Sequence, residues 1–63
     1  MAEAADAGRY TGLGVERARE LAERHGWASV RVLEPGAMMT MDHREGRLNL
    51  VVRDGVVERG WEG

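Results

Sequence analysis

The chain has 63 residues, nine basic and eleven acidic, a net charge of −2 and no cysteine. A chain this short forms one domain that buries roughly 60% of the surface its unfolded form exposes. That favours a binding surface over an enclosed enzyme pocket. It has no disulfide staple, thiol nucleophile or cysteine-ligated zinc, and its interspersed charges and three aromatics (Tyr10, Trp27 and Trp61) argue against a nucleic-acid surface.

Residues 1–11 read as a flexible N-terminal arm ahead of a single domain over 12–63. The stretch from Met1 to Gly8 is Ala-rich and acidic, without the positive start and apolar run of a signal peptide. No apolar stretch approaches the length of a membrane span, so no membrane partner is expected. The compartment stays open between the cytoplasm and secretion after removal of a leader. From Val15 to His25 the spacing predicts a helix, with Val15, Ala18, Leu21 and Ala22 on one stripe and charged residues on the rest. Gly14 falls at its N-cap and Gly26 just past its last turn.

Ser29 to Leu33 is a predicted strand with Val30 and Val32 on one face. Pro35-Gly36 then breaks regular structure. Residues 34–45 have neither a helical period nor sustained alternation, and a connection this long inside a small domain is usually functional or disordered. Leu48, Leu50 and Val52 alternate along the next strand, and Asp54-Gly55 is a type I′ hairpin signal. Pairing Arg53 with Val56 sets Val52 opposite Val57, Leu50 opposite Arg59 and Leu48 opposite Trp61. That register gathers Leu48, Val52, Val57 and Trp61 on one face for the helix to cover. The expected fold class is α+β, one helix on a small sheet. The alternation leaves open whether the strands flanking the long connection run parallel or antiparallel.

Enzyme chemistry has little to stand on. Ser29 lies in a strand pattern with no nucleophile turn around it. Asp42, His43 and Glu45 match no zinc spacing, and Gly12-Leu13-Gly14 lacks the preceding strand and third glycine of a dinucleotide site. No enzyme activity, metal or cofactor is expected. The long connection is more informative, because Met38, Met39 and Met41 fall within four positions of it. Methionine clusters usually fill irregular core gaps, and Met38 suits that role. Met41 stands among Thr40, Asp42, His43 and Arg44, and an apolar side chain in so polar a segment is the kind that anchors a partner.

Two stretches, Val30-x-Val32-Leu33-x-x-Gly36 and Thr40-Met41-Asp42-x-Arg44-x-x-Arg47-x-x-Leu50, resemble the potato inhibitor I family of serine protease inhibitors. The Arg47-Leu48-Asn49-Leu50 version is more like that family's small bacterial and fungal elastase-inhibitor-like branch. The resemblance implies a mixed sheet with a long exposed reactive loop between two parallel strands. It implies that Met41–Asp42 is the reactive bond and that Met39, Thr40, Met41, Asp42, His43 and Arg44 contact the protease. Arg47 would brace the loop from below toward Thr40 and Asp42. Asn49 stands where some members carry a second supporting arginine. The implied partner is a serine protease of subtilisin, chymotrypsin or elastase type, bound by a monomer. The competing expectation is a non-inhibitory module that docks a protein through the Met-rich loop.

Overall fold

The computed structural model describes residues 4–37 and 43–63. In chain order it contains a 3₁₀ helix at Ala4–Tyr10, helix α1 at Val15–Arg24, and strands β1 at Ser29–Leu33, β2 at Arg47–Arg53 and β3 at Val56–Glu62. The sheet order is β1-β2-β3, with β1 and β2 parallel and β2 and β3 antiparallel. One helix packed with a three-stranded mixed sheet is the α+β architecture expected.

The helix begins where its backbone donors find partners outside it. Gly14 is extended (φ −62°, ψ 146°) and has no side chain to cap with. The Gly55 carbonyl instead accepts the Val15 N–H at 2.8 Å, which satisfies one of the orphan donors of the first turn. Residues 12–14 continue this pairing, with Gly12 N donating to Val57 O and Val57 N to Leu13 O, each at 2.8 Å. The start of β3 is therefore shielded at its outer edge. At the other end Trp27 N donates to Ala22 O and Gly26 N to Glu23 O, both at 3.2 Å, the paired bonds of a Schellman stop. Ala18 and Ala22 are buried toward the sheet, and such small side chains let the helix lie close to it.

Asp54 (φ 52°) and Gly55 (φ 78°) make the expected left-handed pair at the hairpin. Beyond it the register departs from the regular one. Val52 pairs with Val57 but Val51 pairs with Arg59, so a bulge leaves Glu58 without an opposite number. Leu50 then faces Gly60, Leu48 faces Glu62, and Trp61 faces Asn49. Trp61 therefore leaves the core face, and the expected cluster with Leu48 does not form. It is half-buried on the other face, with the Arg59 guanidinium 4.9 Å from its ring centre. The reason is chemical: the regular register would drive Arg59 into the core beside Leu50. The bulge puts Gly60 there and returns the cation to solvent, where Arg59 lies exposed.

The core consists of Ala7, Tyr10, Ala18, Ala22, Trp27, Leu48, Leu50 and Val57, flanked by Leu13, Leu21, Val30 and Val52. Val32, on the same strand face as Val30, remains 42% exposed. Ala7 and Tyr10 come from the segment expected to be an unpacked arm. The 3₁₀ helix lies on β3, where Gly60 makes room: a Cβ there would meet Ala7 O at 2.7 Å and Leu50 Cδ2 at 3.0 Å. Tyr10, only 1% exposed, also organises polar groups. Trp27 Nε1 donates to the Tyr10 hydroxyl at 3.1 Å, and that hydroxyl lies 2.7 Å from His25 Nδ1. The indole N–H can only donate, so the Tyr10 hydroxyl accepts from Trp27 and is paired at the same time with the His25 ring.

Candidate functional site

Parallel pairing of β1 with β2 forces the intervening chain to return along the whole length of the strands. Its upstream limb leaves β1 through a tight turn over Glu34-Pro35-Gly36-Ala37. Ala37 N donates to Glu34 O at 3.0 Å and Gly36 has φ 79°, as a type II turn with proline at its second position requires.

The downstream limb, residues 43–46, is tied at several points. Arg44 N donates to Gly63 O at 3.1 Å, and Arg47 N to Arg44 O at 3.3 Å. Gly46 N donates to Glu62 Oε2 at 2.8 Å. The Gly46 carbonyl accepts from Ala28 N at 2.8 Å and Ser29 N at 3.3 Å, just before and at the start of β1. Gly63 N returns a bond to Arg47 O at 3.1 Å. His43 lies against Gly63, where a Cβ would come within 2.9 Å of its Nδ1. The side chains of His43, Arg44 and Glu45 are nonetheless exposed.

Below this limb the sheet face opposite the helix holds buried polar groups. Alternation along β2 sends Leu48 and Leu50 to the helix side and Arg47 and Asn49 to the other. Arg47 is 8% exposed, and its Nε (3.0 Å) and Nη2 (2.6 Å) both donate to Gly63 O. Asn49 is wholly buried. Its Oδ1 accepts from Arg31 Nε at 2.8 Å and its Nδ2 donates to Trp61 O at 3.4 Å. Arg31, Asn49 and Trp61 are opposed in register, forming one row across all three strands. Among the described residues no buried side-chain nitrogen or oxygen lacks a hydrogen-bond partner, so this polar layer is fully satisfied.

Of the residues expected at the site, Met39, Thr40, Met41 and Asp42 lie outside the described residues, as does any approach of Arg47 to Thr40 and Asp42. His43, Arg44 and Arg47 come together around Gly63, and Asn49 is joined to Arg31. Arg31, Glu62 and Gly63 were not singled out from sequence. Arg31 meets Asn49 only if β1 and β2 are parallel and in this register, and Glu62 reaches Gly46 only through the bulge. Neither leaves a mark in local spacing. Among the described residues no three His, Asp or Glu side chains are grouped to hold a metal.

A buried guanidinium and two chain segments thus grip residues 44–47, where the long connection joins β2. The family model of the peptidase inhibitor I78 family matches residues 6–58. The chain belongs to that family. As an I78 peptidase inhibitor it is not an enzyme, and its partner is a peptidase. The resemblance drawn from sequence reached the right class, peptidase inhibition, but the family is I78 and not potato inhibitor I. That resemblance was carried by two short stretches, Val30 to Gly36 and Thr40 to Leu50, whereas the I78 match starts within the 3₁₀ helix and ends in β3. No curated protein compared with the chain matches it.

Proposed function

We propose that this I78 inhibitor blocks serine proteases in a substrate-like manner, with Met41–Asp42 as the reactive bond. Met39, Thr40, Met41, Asp42, His43 and Arg44 enter the protease cleft, and the Met41 side chain fills the primary specificity pocket. The observation that carries this reading is the locked downstream limb: Arg44 and Gly46 are each bonded to the end of the chain, and the Arg47 fork is buried beside them.

The physical argument is one of entropy. A free peptide loses about 1–2 kcal/mol per residue when its backbone is fixed. A loop already fixed has lost this before the encounter, so more of the contact energy appears as affinity. Suppose the protease serine attacks the Met41 carbonyl and expels the Asp42 amine. The segment from Asp42 onward is still anchored through Arg44 and Gly46, so the amine stays beside the acyl-enzyme and re-forms the peptide bond before water replaces it.

Met41 is unbranched and apolar, which suits subtilisin-, chymotrypsin- or elastase-like pockets and not a trypsin-like pocket built for a cation. The test is inhibition of subtilisin, chymotrypsin, pancreatic elastase and trypsin, with mass spectrometry of the inhibitor after long incubation. Inhibition of one or more of the first three is expected, with a single slow cut at Met41–Asp42. Met41→Arg is expected to transfer inhibition toward trypsin by at least tenfold, since one side chain fills the pocket. If Met41→Arg leaves the target spectrum unchanged, the reactive bond lies elsewhere.

A further inference from the structure

We propose that Glu62 is a positioning residue for the reactive loop, its carboxylate holding the Gly46 N–H so that the segment released by cleavage stays in register for re-ligation. This deepens the substrate-like reading above and rests on it.

Gly46 lies four residues beyond Asp42, at the junction of the loop with β2. Its carbonyl is taken by the N–H groups of Ala28 and Ser29, and its N–H by Glu62 Oε2 at 2.8 Å. The limb is therefore gripped from both sides, by the start of β1 and by the end of β3. Glu62 gets there because of the bulge, which places it opposite Leu48 at the end of the sheet where β2 begins. The next residue, Gly63, grips the chain on either side of Gly46, through Arg44 N two residues earlier and the Arg47 side chain one residue later. The two grips differ in kind. That of Gly63 is through a main-chain oxygen, whereas that of Glu62 is through a half-buried side chain whose carboxylate makes a charge-assisted bond to a main-chain N–H. Glu62 can therefore be altered without touching the backbone or the Arg47 fork.

The experiment compares the parent with Glu62→Ala and Glu62→Gln, using subtilisin as the probe and amide hydrogen exchange of the free inhibitor as an independent readout. In Glu62→Ala the Gly46 amide should exchange faster while the Leu50 amide, in the middle of β2, keeps its parental rate. Hydrolysis at Met41–Asp42 should rise about fivefold, the scale of one such bond, and the intact fraction at equilibrium should fall. Glu62→Gln, whose amide oxygen can still accept, should recover most of both effects. The proposal is overturned if Gly46 exchange is unchanged in Glu62→Ala, or if every amide speeds up alike. It is also overturned if Gly46 is freed while the hydrolysis rate and intact fraction stay parental. A parent that neither inhibits subtilisin nor is cut at Met41–Asp42 sinks the substrate-like reading for this probe, and the role of Glu62 with it.

Discussion

Arg47 shows how one residue is committed before any partner arrives. A guanidinium 8% exposed must place its donors on acceptors, and two of them converge on Gly63 O. Replacing it with Ala removes charge-assisted bonds worth about 1.5–3 kcal/mol and leaves Leu48, Leu50 and Val57 in place. We expect a folded Arg47→Ala, by circular dichroism, with a raised inhibition constant and faster cutting at Met41–Asp42. Arg47→Lys should recover only part of this, because a point charge cannot reproduce a planar fork. A folded Arg47→Ala that inhibits as tightly and durably as the parent would remove the brace from the mechanism. Tyr10 makes the complementary case in the core. Tyr10→Phe keeps the ring but strands Trp27 Nε1 and His25 Nδ1. The expected loss is about 1–3 kcal/mol in urea unfolding, with inhibition unchanged at temperatures where the variant is folded. An unaltered midpoint would mean that water replaces the hydroxyl.

At the scale of elements, the helix and strands lie within a residue or two of where periodicity put them, because each signal is local. The stripe of Ala18, Leu21 and Ala22 and the Asp54-Gly55 turn need no long-range information. The β3 bulge is different. Alternation continued through Glu58 places Trp61 in the core, and only the cost of burying Arg59 beside Leu50 reverses that choice. The same bulge creates the seat for the 3₁₀ helix at Gly60. Gly60→Ala should therefore force Ala7 and Leu50 apart, since a Cβ would stand 2.7 Å from Ala7 O and 3.0 Å from Leu50 Cδ2. Overpacking of this kind costs about 1–3 kcal/mol, or roughly 4–20 °C in the melting temperature of so small a domain. A shift under 2 °C would show that the N-terminal segment yields without loss.

For the whole molecule, the 3₁₀ helix contributes to the core through Ala7 and Tyr10. Deleting residues 1–11 removes Ala7 and Tyr10 from the core and uncovers Trp27 and Leu50. The expected loss exceeds about 3 kcal/mol, the scale of removing a buried aromatic, so the truncated chain should lack a cooperative thermal transition at 37 °C. A truncated domain melting within a few degrees of the parent would restore the arm to a passive role. The sequence by itself determined the helix, the three strands and the hairpin turn, because these rest on local period and turn chemistry, and its resemblance to an inhibitor family pointed to the class of activity. Tertiary structure alone decided the parallel pairing that joins Arg31 to Asn49, the bulge that sends Trp61 outward and Glu62 to Gly46, and the burial of Tyr10. Each of these depends on which distant group must be kept out of, or satisfied within, a core too small to tolerate one unpaired charge.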